Sequence, residues 1–375
     1  VKIYLTKCNT LATTDTEVLE DIDFPQRVHW FPETYNRVES GLFYVPHRVA
    51  EKVITKDVID FVKSRPVYGK SAFILAGGSQ NWAGEKQVKD PKPSRLRYTY
   101  KLPLISMTQI YAGKIASLFG IYDYVTTDAS ACASSLKVMT DVRNLIDNLG
   151  FDRVVVLTLE DQVSIPTLEF FGKSKASILL EDEKKGAVPS AFDSTNGGFV
   201  IGQGSALAVF ESERAVNKNK PYVLAELLSA NISGEDITNP IGQRPDGMGY
   251  QNAIRGAIEM AKISPSAIKL VKTHGTGTAS NNLAEKTALL ATLDKFVATS
   301  YKQHIGHTVA ASGLLETCLL LQSISTRHKV PPIKNRTEED KVFLSEETYA
   351  PDGLLLSLAA GMGNIYAAAI FNYTL

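Results

Sequence analysis

The chain has 375 residues, 44% hydrophobic and 21% charged, a globular composition with enough apolar mass for one large core or two fused halves. Forty basic residues balance forty acidic ones, so the summed charge excludes a dedicated nucleic-acid binder. Cys8, Cys132 and Cys318 are scattered and odd in number, which excludes a disulfide framework and zinc-type spacing and suits a reducing, cytoplasmic compartment.

In chain order, residues 1–5 read as a strand rather than a targeting leader. Residues 72–75 form an apolar run expected to be a buried strand. Residues 84–101 are polar and basic, and read as a solvated loop or as a docking surface for an acidic partner. Residues 124–127 predict a strand, residues 128–135 a turn of small side chains, and Leu136, Met139, Leu145 and Leu149 one face of a helix stopping at Gly150. Further strands are expected at 154–157 and 270–272. Ala253, Ala257, Met260 and Ala261 mark a helix closed before Pro265. Strands alternating with helices predict largely parallel sheets covered on both faces.

The polar turn at 217–221 is the best boundary, dividing the chain into 1–216 and 217–375. The two parts end alike. Gly202-Gln203-Gly204 precedes the apolar run 206–210, and Gly361-Met362-Gly363 precedes 367–371, which hints at a duplicated fold. Residues 354–371 lack charge and nearly reach membrane-spanning length. Gly361, Gly363 and Asn364 interrupt them, so two buried strands are expected and no membrane span.

Three constellations carry chemistry. Cys132 sits at the expected strand–turn–helix corner, where a helix N-terminus and free backbone N–H groups favour thiolate. A buried core cysteine is the alternative reading. His274 follows the strand at 270–272 within Thr273-His274-Gly275-Thr276-Gly277-Thr278, a loop that sets an imidazole beside open backbone and hydroxyls. His307 closes Lys302-Gln303-His304-Ile305-Gly306-His307. His304 and His307 are three apart, but Gly306 between them and the lack of a third ligand argue against a metal pair. His29, His47 and His328 have no such context. One cysteine and two histidines fit either a Cys–His hydrolase or a thioester enzyme whose imidazoles hold a developing enolate.

These motifs, taken together and in order, resemble the beta-ketoacyl-acyl-carrier-protein synthases, the ketosynthases of the thiolase superfamily. Ala131-Cys132-Ala133-Ser134 resembles the family's nucleophile elbow, and His274-Gly275-Thr276-Gly277-Thr278 is identical to its His-Gly-Thr-Gly-Thr motif. Lys302 with Gly306-His307 and Ala311-Ser312-Gly313, and Gly361-Met362-Gly363, resemble two more. The resemblance implies a thiolase-like α/β fold of two pseudo-symmetric halves in five layers, usually dimeric, with Cys132 in the first half and both histidines in the second. It implies acyl transfer to Cys132, then decarboxylative Claisen condensation with malonyl-carrier protein in fatty acid, polyketide or polyene synthesis.

By the same resemblance, His274 and His307 hold the enolate, and the N–H groups of Cys132 and Met362 form the oxyanion hole. Lys302 lies near His307 and Glu285. Thr276 and Thr278 bind the pantetheine arm, with Gly361, Met362 and Gly363 lining the substrate. No metal or cofactor is expected, since phosphopantetheine arrives on the carrier protein. Lys173 and Lys175 are candidates for docking that acidic carrier, and the partner subunit is a second copy or a related ketosynthase. The departures are Met362 in place of the family's phenylalanine, Asn364-Ile365-Tyr366 after it, and Asn281-Asn282 before Glu285. A chain-length-factor-like silent subunit and a related acyltransferase remain as alternatives.

Overall fold

Runs of alternating apolar residues that are buried on both sides fix the architecture. In residues 72–76, Ala72, Ile74 and Ala76 enter one core while Phe73 and Leu75 enter another. The structure is a computed structural model and describes residues 1–19, 23–29, 52–77, 107–160, 165–192, 197–236, 239–333, 343 and 346–374. The basic segment 84–101 and His47 lie outside the described residues, as does the side chain of His29.

The first part of the chain contributes strands β1 (Ile3–Ala12), β2 (Glu17–Leu19), β3 (Gln26–His29), β4 (Lys70–Gly77), β5 (Tyr124–Asp128), β6 (Phe151–Glu160), β7 (Ile201–Gly202) and β8 (Gly204–Ser212). Its helices are α1 (Lys56–Lys63), α2 (Thr108–Phe119), α3 (Ser134–Asp147), α4 (Ile165–Lys173), α5 (Leu180–Lys184) and α6 (Glu213–Asn219). The second part adds β9 (Ala225–Gly234), β10 (Ile268–Lys272), β11 (Val297–Thr299), β12 (Leu354–Gly361) and β13 (Ile365–Asn372). With them come α7 (Met248–Ala261), α8 (Ala279–Thr292), α9 (Lys302–Ile305) and α10 (Ser312–Ser325).

Ten of the described strands form one sheet in the order β11-β10-β12-β13-β9-β1-β8-β6-β4-β5. Its middle is the short pairing of Tyr4 and Leu5 on β1 with Glu226 and Ala225 on β9. Outward from there the two sides match strand for strand. β8 and β13 pair antiparallel with their inner neighbours, β6 and β12 pair antiparallel with those, and the next two pairings on each side are parallel. The sheet is therefore mixed, not largely parallel. Of the inner antiparallel pairs only β12 and β13 are joined by a short turn; the others bring together strands distant in the chain, and the parallel pairs lie towards the two edges.

β8 and β13, the two apolar runs that echo each other in the sequence, hold equivalent places. β12 and β13 also resolve the uncharged stretch into an antiparallel pair. Among the described residues no helix is long and apolar enough to cross a membrane.

Helices α3 and α10 lie between the two halves of the sheet and share one core with both. α1 and α2 cover the outer face of the first half, and α7 and α8 that of the second. The result is five layers, helix–sheet–helix–sheet–helix. The central helices come close because Gly313 faces Leu136, where an added Cβ would meet the Leu136 Cβ at 2.7 Å. Each central helix begins alike. A 3₁₀ turn, Ala131–Ala133 or Val309–Ala311, opens on a residue of positive φ, 47° at Ala131 and 35° at Val309. Non-glycine residues reach that region only under tertiary constraint. Cys132 and Ala310 are equivalent positions in the two turns.

Three local expectations change. Leu149 lies past the end of α3 and is 53% exposed, and Met260 is 50% exposed on the outer side of α7. Both continue an apolar spacing beyond the stripe that actually faces the sheet. Residues 217–219 are the last turn of α6 rather than part of a loop, with Lys220 in the left-handed cap.

Candidate active site

The site forms where the C-terminal ends of β5, β10 and β12 meet the two 3₁₀ turns. Cys132 lies in the first turn, 5% exposed. Gly361, at the end of β12, packs directly on that turn, and a Cβ there would meet the Ser130 carbonyl oxygen at 2.7 Å. This closeness brings the Met362 N–H to Cys132 Sγ, where it joins the N–H of Cys132 itself. Burial pushes the Cys132 thiol up to about 12, against the opposing pull of Lys302 and the two N–H groups. Burial thus opposes the thiolate that the helix terminus and the two N–H groups favour.

Two imidazoles face this sulfur's cavity. His274 ends the turn after β10 and His307 follows α9; their ring centroids are 5.6 Å apart at 83°. Both are buried, and desolvation first, then the Lys302 charge, holds each well below the ordinary histidine range, hence neutral. Phe199 packs edge-on against His307 at 4.8 Å. The His307 backbone is fixed on β7 by its N–H to the Val200 carbonyl (2.7 Å) and its carbonyl accepting from Gly202 N–H (3.0 Å).

That fixation depends on glycine at 202. An added Cβ would run into the Ile305 carbonyl oxygen and crowd Gly306, both backbone atoms that cannot swing aside. Gly202→Ala is expected to cost about 2–3 kcal/mol in urea unfolding, a typical overpacking penalty, and to disorder the His307 loop. Unchanged stability would show that the two segments can separate freely.

Glu285 and Lys302 are both buried, each with its own partners. Glu285 accepts from the N–H groups of His274 (2.6 Å) and Gly275 (2.9 Å) and from Asn281 Nδ2 (3.1 Å). Tyr250 OH donates to the Asn281 oxygen at 2.6 Å. Glu285 therefore shapes the histidine loop. The carboxylate partner of Lys302 is instead Glu316, at 2.7 Å, whose other oxygen holds Lys272 at 3.2 Å. Lys272 also donates to the Leu358 carbonyl at 2.7 Å, and burial lowers its pKa to about 8.

A cavity of about 330 Å³ rises from Cys132, His274 and His307. Thr276 and Thr278, whose hydroxyls are 3.0 Å apart, line it, as do Gly361 and Met362; Gly363 is not among its lining residues. Met362 packs against the cluster containing Phe171 and Phe199. The exposed side chains of Phe170 and Lys175 line the same cavity. Lys173 points elsewhere, 5.9 Å over the Phe24 ring. His328 is exposed, bonded to Thr326, and Cys318 is fully buried in α10. Among the described residues no group of three or more His, Cys, Asp or Glu side chains is arranged to hold a metal ion.

Comparison with known proteins decides the lineage. The family description "Beta-ketoacyl synthase, N-terminal domain" matches residues 63–215, and "Beta-ketoacyl synthase, C-terminal domain" matches 224–336. The chain belongs to the beta-ketoacyl synthase family.

Within the family it is divergent. It is 26% identical over 277 residues to a Schizosaccharomyces pombe protein named for the mitochondrial 3-oxoacyl-[acyl-carrier-protein] synthase, a match covering 69% of this chain and 64% of that one. It is 23% identical to 3-oxoacyl-[acyl-carrier-protein] synthase 2 of Mycobacterium bovis, covering 90% of this chain and 83% of that one. It is also 28% identical to the ketoacyl synthase alpha subunit of the tetracenomycin polyketide synthase of Streptomyces glaucescens, over 66% of this chain and 59% of that one.

Among solved structures, a type II polyketide ketosynthase in complex with its acyl-carrier protein superposes with a TM-score of 0.86 at 18% identity. That match covers 100% of this chain and 99% of that one. The ishigamide ketosynthase/chain length factor gives 0.80 at 17%, covering 100% and 99%. These structures share the thiolase-like fold of this beta-ketoacyl synthase family member.

Motif reading found the cysteine, both histidines and the lysine. It missed Lys272, Asn281, Tyr250 and the place of Glu316. The available signal for Lys272 was a lysine closing the strand immediately before the Thr273-His274 loop.

Proposed function

We propose that the chain is a condensing acyltransferase, a 3-oxoacyl-acyl-carrier-protein synthase acting through Cys132. The observation that carries this is one sulfur facing two backbone N–H groups and two neutral imidazoles in one cavity. In the first half-reaction Cys132 Sγ attacks the acyl thioester carbonyl. The Cys132 and Met362 N–H groups hold the oxyanion, and the carrier's pantetheine thiol leaves with the proton. In the second, the malonyl carbon–carboxylate bond breaks and carbon dioxide departs. The electron pair passes to an enolate whose oxygen meets the imidazole N–H groups of His274 and His307. The carbanion then attacks the acyl-Cys132 carbonyl, a C–C bond forms, and the C–S bond breaks to release the Cys132 thiolate, which takes up one proton from solvent. Thr276 and Thr278 line the cavity, and their hydroxyls would hydrogen-bond the pantetheine arm. Only the chain's own groups are used; no metal or cofactor takes part.

The experiment is a reconstituted condensation with acyl- and malonyl-carrier protein, read as β-ketoacyl product, with Cys132→Ala beside the parent. Product from the parent and none from the variant supports the reading. No product with any acyl donor places the chain with silent, chain-length-factor-like subunits.

An acidic carrier requires a basic rim. Both lysines are exposed, but Lys175 is the better candidate because it lines the cavity, whereas Lys173 is drawn over Phe24. Lys175→Glu is expected to raise KM for the carrier about tenfold at low salt and less at high salt, with kcat unchanged. A salt-independent KM would remove Lys175 from the docking surface. The exposed apolar residues Tyr124 and Val125 on edge strand β5 fit a dimer in which this edge is covered by a second subunit.

A further inference from the structure

We propose that Ser312 is a positioning residue for His307, its hydroxyl donating to Nδ1 and so keeping the ring proton on Nε2. Ser312 opens helix α10 and is fully buried. Its Oγ lies 3.0 Å from His307 Nδ1 and 3.2 Å from Thr308 Oγ1, and Thr308 is fully buried too. Three groups thus stand in line, hydroxyl to hydroxyl to ring nitrogen.

A neutral imidazole has one N–H and one acceptor nitrogen, and its neighbour decides which is which. Thr308 can donate to Ser312, which frees the Ser312 proton for Nδ1. The ring then has its proton on the opposite nitrogen. The rest of His307 is already clamped, by two backbone bonds to β7 and by Phe199 against the ring. The remaining freedom is the tautomer.

His274 differs. Its Nδ1 is buried without a hydrogen-bond partner among the described residues. The two imidazoles are therefore unequal, one locked as a donor and the other free to change. The inference deepens the reading above and rests on it, since a donor at Nε2 matters only if His307 meets the enolate oxygen.

The test is NMR of the full-length protein labelled with ¹³C,¹⁵N-histidine, with His307 assigned by comparison with His307→Gln. The parent is expected to show a single Nε2–H tautomer at His307. Ser312→Ala, a change that removes one oxygen and adds nothing, is expected to mix the tautomers. It should also lower kcat for malonyl-carrier decarboxylation about tenfold with KM unchanged, and Thr308→Ala should act in the same direction more weakly. Loading of Cys132 by an acyl-carrier protein should be unaffected. A parent in the Nε2–H form and a Ser312→Ala spectrum identical to it would overturn the inference and leave the proposed function standing. So would mixed tautomers with an undiminished rate. A parent carrying its proton on Nδ1 would overturn both.

Discussion

Glu316→Gln is expected to destabilise the fold by about 3–5 kcal/mol at pH 7. The replacement keeps the shape of the side chain but removes the one carboxylate that the buried ammoniums of Lys272 and Lys302 share. Two cations would then face each other in the core. The cost has a ceiling, because one lysine can escape by losing its proton. Lys272 is already lowered from 10.5 to about 8 by burial. Holding a lysine neutral in the folded state at pH 7 costs about 5 kcal/mol, from roughly 1.4 kcal/mol for each pH unit below its unfolded value. By the same arithmetic the ceiling falls to about 2 kcal/mol at pH 9.

The sign is definite. The variant's folded state would bind fewer protons than its unfolded state, so stability lost at neutral pH returns as pH rises towards the unfolded lysine value. Urea unfolding of parent and variant at pH 7 and pH 9 measures both the loss and its recovery. Adding Lys272→Met to Glu316→Gln should restore part of the loss at pH 7. A variant as stable as the parent at pH 7 would mean that the ammoniums are solvated and that the buried Lys272–Glu316–Lys302 triad does not exist in solution.

The second large effect separates the two half-reactions. His307→Gln is expected to keep Cys132 loading within about threefold and to lower condensation about 10²–10³-fold, the usual cost of removing one donor from a developing oxyanion. The distinction follows from position. In the proposed mechanism acyl transfer to Cys132 would use the N–H groups of Cys132 and Met362, which meet the sulfur, while the enolate would need the imidazoles, which face each other across the cavity. Single-turnover measurements of loading and of discharge by malonyl-carrier protein read the two steps separately. Equal loss in both would assign His307 to activation of the thiol instead.

Much of this was legible in the residues, for identifiable reasons. Short-range chemistry leaves local marks. The small residues around Cys132 fit the backbone of Gly361 against that turn and of Gly313 against the start of α3 beyond it. The glycines at 275 and 277 hold positive φ beside His274. The repeated ending of the halves was visible because β8 and β13 occupy equivalent central places and are buried on both faces.

What the sequence hid is pairing across distance. Lys272 and Glu316 stand 44 residues apart, and nothing at either position names the other. The resemblance put Lys302 near Glu285 but named no ion partner for it; that partner is Glu316, while the Glu285 oxygens accept from the His274 and Gly275 N–H groups. The inner antiparallel strands escaped the alternation rule because a strand buried on both faces reads the same in either direction. The extra apolar residues Leu149 and Met260 show that a helical spacing does not say where its buried stripe ends.

The central claim is that Cys132 is a nucleophile that carries an acyl group. Intact-protein mass spectrometry after mixing with a panel of acyl-carrier-protein thioesters tests it most directly, with Cys132→Ala alongside. The account predicts a mass gain equal to the acyl group in the parent, none in the variant, and loss of that gain when malonyl-carrier protein is added. Folded parent protein that gains no mass from any donor, or a variant that gains as much as the parent, would contradict it.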